Sequence, residues 1–390
     1  MEVISKLLSF VPDKLLNRLA VVTDVDKFSK KLQGELVFKL LLYCIVTQKE
    51  NSLRGMQSAL ESAVFRSLYS NSPSFNIRHS SIGARLTKMN SRYFEEIFKV
   101  CVESYKKSLG KYESDIIRFD STIVSLSGKL LQTGYQLKGG DAEKYRLLKF
   151  TIGFSSIPEA VYFFTDQSHN SENVALTDSI MNHRFGAGKK VNVFDRGITS
   201  RNNYDKFTEN GIRFISRINN DPKLTEYKAN ILNKAIQTPT LNIISDRWVY
   251  LYTMQPKRSL HPVRIIKAVK KSDGEPISFL TNIDDIKAED ITEIYKSRWD
   301  IEIFFKFIKQ HLNFSHLLNR SENGIKSILY VTMIAAILLL HYRKQKNLKG
   351  FKIVKQKFEQ DLERDIIYNL ILFCDGNPKK AKKFLYPNSS

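Results

Sequence analysis

Hydrophobic positions change their period along this chain, and each change marks a different kind of structure. Over residues 1–110 the apolar side chains recur at helical spacing: Leu7, Leu8, Phe10 and Val11, then Leu15, Leu16 and Leu19, then runs at 36–46 and 93–105. No alternating strand pattern interrupts them, so an all-helical N-terminal domain is expected. Within it, Asn71-Ser72-Pro73-Ser74 breaks the chain ahead of a short basic helix over 80–89 that carries Arg85 and Lys88, with Arg78 just before it. A helix of that kind either lies in a DNA groove or decorates the surface of a bundle.

Beyond residue 114 the pattern becomes that of strands. Residues 115–124, 146–154 and 160–165 read as buried strands, followed by a helix over 172–183, a strand over 190–194, a helix over 201–209 and a strand over 212–216. Apolar runs at 241–245, 248–253, 263–269 and 277–281, with turns at Gln255-Pro256 and Asp273-Gly274, suggest a small antiparallel insertion. One long helix is expected from about residue 287 to 311, and two more over 324–342 and 352–373. The class is therefore α/β: a mixed sheet flanked by helices, with a β-rich insertion and an all-helical N-terminal domain. The boundaries fall at 1–110, 111–222 and 223–286 (the insertion), then 287–342 and a basic helical region at 343–390.

Charge narrows the function. The 61 Lys and Arg against 40 Asp and Glu leave the chain at +21, and a fold basic throughout suits a polyanion, because each neutralised phosphate releases counterions. A merely basic solvated surface is the plainer alternative. With 42% hydrophobic residues and only 17 Gly and 10 Pro, the chain is neither disordered nor collagen-like. Cys44, Cys101 and Cys374 lie far apart and are expected to be buried, reduced thiols, as in a cytoplasmic protein. Residues 325–342 include Lys326, Ser327 and Thr332 and fall short of the roughly 20 apolar residues of a span. A buried helix, with no membrane partner, is the expectation. Seven histidines without a metal-binding spacing, and no phosphate-binding glycine loop, disfavour zinc hydrolysis and ATP-driven work.

The candidate chemistry lies in carboxylates. On a continuous helix Tyr295, Arg298, Glu302 and Lys309 share one narrow stripe with apolar groups to both sides. That stripe either faces a polar cleft or is a solvated strip laced by Arg298–Glu302 pairing. Trp299 falls off the stripe and reads as packing. Asp120 interrupts an apolar strand and Asp195 ends another; buried carboxylates are costly unless paired or bound to metal. If Asp120, Asp195 and Glu302 converge, they form an oxygen-rich site for Mg²⁺. Taken alone, either aspartate reads better as a cap, Asp120 of a turn and Asp195 of a helix N-terminus.

The spacing Tyr295-(2)-Arg298-(3)-Glu302-(6)-Lys309 resembles the Y-R-E-K signature of the DDE transposases in the insertion sequence 4 family. Asp120-Ser121-Thr122 and Asp195-Arg196-Gly197 resemble that family's first and second aspartate motifs, and the β insertion before Glu302 is similar in placement. Ile198 departs from the pattern, which has an aromatic there. The resemblance implies an RNase H-like core that cuts and joins transposon ends with two Mg²⁺ ions, Mn²⁺ substituting, held by Asp120, Asp195 and Glu302. It also implies that Tyr295, Arg298 and Lys309 hold phosphates, and that Trp248 stacks on a flipped base, unless Trp248 is a core residue. The implied partners are transposon-end DNA and target DNA, bound by a homodimer. A catalytically silent DNA-binding descendant, or an RNase H-like nuclease that does not transpose, are the alternatives.

Overall fold

The computed structural model describes residues 11–48, 51–68, 76–109, 115–126, 135–136, 146–183, 190–219, 222–229, 235–254, 257–314, 319 and 321–385. The Asn71–Ser74 break and the Gln255-Pro256 turn lie outside them. In chain order the helices are α1 (Asp13–Val22), α2 (Gly34–Thr47), α3 (Leu53–Glu61), α4 (Ala63–Leu68), α5 (His79–Lys88), α6 (Arg92–Leu109), α7 (Glu172–Asn182), α8 (Arg201–Glu209), α9 (Ala288–Lys296), α10 (Trp299–His311), α11 (Glu322–Gln345), α12 (Phe351–Phe373) and α13 (Pro378–Leu385). The strands are β1 (Ile116–Leu126), β2 (Tyr135–Gln136), β3 (Arg146–Phe154), β4 (Pro158–Phe164), β5 (Val191–Phe194), β6 (Arg213–Ile218), β7 (Leu224–Ala229), β8 (Ile236–Gln237), β9 (Leu241–Met254), β10 (Lys257–Arg258), β11 (Val263–Lys270) and β12 (Pro276–Thr281). The chain divides into two compact units, one of residues 1–113, 127–133 and 306–390, the other of 114–126 and 134–305.

Among the described residues the first unit is helical, drawing on segments from the N-terminal and C-terminal parts of the chain. Tyr93, Phe94 and Ile97 on α6 are wholly buried, and Phe98 packs its ring 5.8 Å from Tyr330 of α11. By length and composition α11 could cross a membrane, yet 94% of its most apolar stretch is buried inside the protein. Two expectations change here. Arg85 does not project from the basic helix: it donates to the carbonyls of Leu32 and Val25 and pairs with Asp26 at 2.9 Å, so it ties α5 to the turn after α1. Cys44 and Cys101 are buried, but Cys374, just past the end of α12, is exposed.

The second unit is built on one sheet. Around its centre β4, β3, β1, β5 and β6 lie side by side; β1 runs antiparallel to β3 and parallel to β5, and β5 parallel to β6. Alternation along β1 assigns the faces. Ile117 and Phe119 pack with Phe194, Phe214, Leu176 of α7 and Tyr204 and Phe207 of α8. On the opposite face Val191, Val193 and Ile215 pack under Ile291 and Tyr295 of α9. Arg118 and Asp120 fall in the alternate register to Ile117 and Phe119, hence on the α9 side.

The strands of the insertion do not form a sheet of their own. β12 pairs antiparallel with β6, joining Ser278 to Ile218 and Thr281 to Ile215, and β11 and β9 continue outward from it. The two runs expected at 241–245 and 248–253 are one strand, β9. The polar interruption between them, Asp246, is buried by a two-pronged pair with Arg264 of β11, at 2.8 and 2.7 Å.

Candidate active site

The long helix expected over 287–311 is in fact two, α9 and α10, and the bend between them shapes the site. Neither glycine nor proline stands there. Instead the turn tightens: Arg298 N–H donates to Tyr295 O at 2.9 Å, Asp300 N–H to Ser297 O at 3.1 Å and Ile301 N–H to Arg298 O at 3.2 Å, all three-residue steps. The exposed face of α10 is consequently not a narrow polar strip. Trp299 is 59% exposed and Ile303 42%, so Trp299 is a surface residue and not the packing residue the helical wheel implies.

Asp120 sits in the middle of β1, opposite Ile152 of β3. Its pKa is pushed up to about 6: burial raises it most, the Ser121 N–H and Arg298 pull it down, and the nearby charges of Glu172 and Glu302 push it up. Asp195 follows the last residue of β5. Burial acts to raise its pKa too, but the Arg196 N–H, Arg298, the Tyr295 hydroxyl and Arg217 outweigh it and hold the carboxyl below its usual value. Tyr295 O–H donates to Asp195 Oδ1 at 3.0 Å. Arg298 donates to Glu302 Oε1 at 2.6 Å, with its guanidinium 5.9 Å from the Tyr295 ring centroid. Thus strand β1, the end of β5 and the α9–α10 bend bring Asp120, Asp195, Glu302, Tyr295 and Arg298 into one electrostatically linked group. Part of the solvated-strip alternative is also real, since Arg298 and Glu302 do pair.

Glu172, the first residue of α7, belongs to this group and was not singled out in the sequence. It acts on Asp120 and on the buried Lys149, and a Cβ placed on Gly197 would stand 2.5 Å from its Oε2. Gly197 in the Asp195-Arg196-Gly197 turn therefore leaves room for the Glu172 carboxylate. An acid in a first helical turn is an ordinary start signal, so only the spatial arrangement distinguishes it.

Lys309 lies further along α10 in the other unit, and Trp248 is half-buried on β9 with Arg264 and Lys228 as its strand neighbours. Among the described residues no three His, Cys, Asp or Glu side chains stand close enough to make a ready-formed metal cage. The donor set nonetheless suits a hard divalent cation: the charges of Glu172 and Glu302 act on the buried Asp120 carboxyl, and Arg298, which acts on both aspartates, is paired with Glu302.

Residues 111–338, more than half of the chain, match the family described as "Transposase DDE domain". The chain belongs to the DDE transposases. A Geobacillus stearothermophilus protein assigned by name as transposase for insertion sequence element IS5377 is 30% identical over 151 residues, 39% of each chain. A Synechocystis sp. protein assigned by name as transposase for insertion sequence element IS4SA is 27% identical over 305 residues, 76% of this chain and 78% of that one. The chain thus spans about two-fifths of the first relative and over three-quarters of the other. All six side chains of the linked group, Glu172 included, fall within the stretch that matches the DDE family.

Proposed function

We propose that this DDE transposase cuts and joins the DNA ends of an insertion sequence, in the cytoplasm, as a member of the insertion sequence 4 group. The observation that carries the reading is that Arg298 acts on both Asp120 and Asp195 while pairing with Glu302, with the Tyr295 hydroxyl on Asp195. The strand order β4-β3-β1-β5-β6, with the first aspartate on the central strand, supports an RNase H-like core. Asp120, Asp195 and Glu302 would hold Mg²⁺, or Mn²⁺ in its place. When bound, two such ions activate the attacking oxygen and stabilise the leaving one in phosphodiester cleavage and strand transfer.

The chain's own residues have separate tasks. Arg298 and Lys309 are donors for phosphate oxygens, forked and point-like respectively. Tyr295 orients Asp195 by donating to its Oδ1. Because Arg298 spans Glu302 and the charge field of both aspartates, a phosphate arriving at its guanidinium is placed beside the carboxylates. Trp248 on the insertion stacks on an unpaired base, and two copies of the chain hold two transposon ends for joining to target DNA.

Asp120→Ala, Asp195→Ala and Glu302→Ala should each abolish cleavage of end DNA in Mg²⁺ while leaving binding largely intact, because affinity comes from many phosphate contacts. A gel assay with separated binding and cleavage readouts decides this. Undiminished cleavage by any one variant removes that residue from the site.

A further inference from the structure

Arg118 is 7% exposed on β1, two residues before Asp120 and on the same face of the strand. A buried guanidinium is costly unless its donors are met, and here they are met from separate elements. Its Nε donates to Ser297 O at 2.7 Å, one terminal nitrogen donates to Ser155 O at 3.0 Å, and the other pairs with Asp300 at 3.2 Å. Ser297 O is the acceptor that a straight helix would give to the Ile301 N–H. In this protein Ile301 N–H turns to Arg298 O, and Arg118 Nε stands at Ser297 O alongside the Asp300 N–H. Asp300 in turn is the second residue of α10 and holds the other side of the bend.

We propose that Arg118 is a positioning residue that sets the α9–α10 bend and thereby aims Arg298 and Glu302 at Asp120, a role that rests on the reading above that these side chains act on DNA. Tightening from 3.6 to 3.0 residues per turn rotates each successive residue by about 20°, so three such steps turn α10 by about 60° relative to a continuous helix. Without Arg118 the Ser297 carbonyl is free to accept from Ile301, and the helix can straighten. Glu302 then rotates away from the face shared by Arg118 and Asp120. The strand that carries the first aspartate thus also carries the clamp for the helix with the glutamate.

The test uses Arg118→Met and Arg118→Lys in the full chain, assayed well below their melting temperatures. Cleavage of end DNA should fall by about a hundredfold in Arg118→Met, as for a misplacement of about 1 Å, with end affinity within about twofold of the unmodified chain. Arg118→Lys, which keeps the charge but cannot reach all three acceptors, should be intermediate. It also carries the test if the methionine variant does not fold.

Free guanidinium ion should partly restore the rate of Arg118→Ala, which a general loss of stability would not allow. A second readout needs no DNA. The chain has two tryptophans, so in a Trp248→Phe background the emission of Trp299, next to the bend, should shift on Arg118→Met. Unchanged cleavage or unchanged Trp299 emission in a folded variant overturns the proposal. If the unmodified chain itself cuts no end DNA, the functional reading fails, and the Trp299 signal alone decides whether Arg118 sets the bend.

Discussion

At the scale of single residues, Asp120 links acidity to stability. Its folded pKa of about 6 lies above the ordinary carboxyl value, so the folded state holds a proton that the unfolded chain has released. Stability from this group is full below about pH 4 and lost as pH rises through 6, at a cost of about 2–3 kcal/mol by pH 8. Asp120→Asn should therefore raise the melting temperature at pH 8 and leave it unchanged near pH 4, as differential scanning calorimetry would show. Mg²⁺ should stabilise the unmodified chain at pH 8 and not the Asn variant; equal melting at both pH values would mean that Asp120 is solvated. Asp120, Asp195 and the Tyr295–Glu302 spacing were legible in the sequence because polar residues inside apolar patterns stand out. Glu172 was not, because its approach to Gly197 depends on how α7 docks across the sheet, and residue pattern carries no such information.

Among the elements, strands buried on both faces and amphipathic helices were readable to within a few residues, as with β3 and α8. Two departures share a cause. The α9–α10 bend and the unbroken β9 both depend on buried arginines distant in sequence: Arg118 captures Ser297, and Arg264 neutralises Asp246, which otherwise reads as a loop residue. Arg264 also donates to Ile283 O and Ile286 O at 3.1 and 2.6 Å, fixing the segment that leads into α9. Removing one partner strands a buried charge. Arg264→Met should lower unfolding free energy in urea by about 3–5 kcal/mol, and Arg264→Met with Asp246→Leu should recover much of it. If the double variant is as unstable as the single, backbone capture by Arg264 outweighs the pair.

At the scale of the whole molecule, the +21 charge gives the proposed DNA binding a steep expected dependence on salt. Under the proposed activity, Arg298→Ala and Lys309→Ala should each lower the slope of log K against log salt by about one, since each phosphate contact contributes about that much. An unchanged slope with a lower melting temperature would make either residue structural. Light scattering of the chain mixed with end DNA should give a two-protein, two-DNA assembly; a one-to-one complex that still joins both ends to a target would refute the proposed homodimer.

The pairing of β12 with β6 has a bearing on how this chain can be cut and recombined. Because the insertion's strands are hydrogen-bonded into the central sheet through Ser278 and Thr281, it cannot be lifted out as a cassette: excising it strips the edge of β6 and leaves bare amides and carbonyls. Grafts from relatives must carry β6 and β12 together. The distal tip tolerates more. Gly274 turns there at φ +74°, and a Cβ placed on it would meet nothing within 4 Å, so the β11–β12 hairpin is where new chain termini, a fluorescent tag or a tethered DNA-binding module can be placed without disturbing the sheet's register.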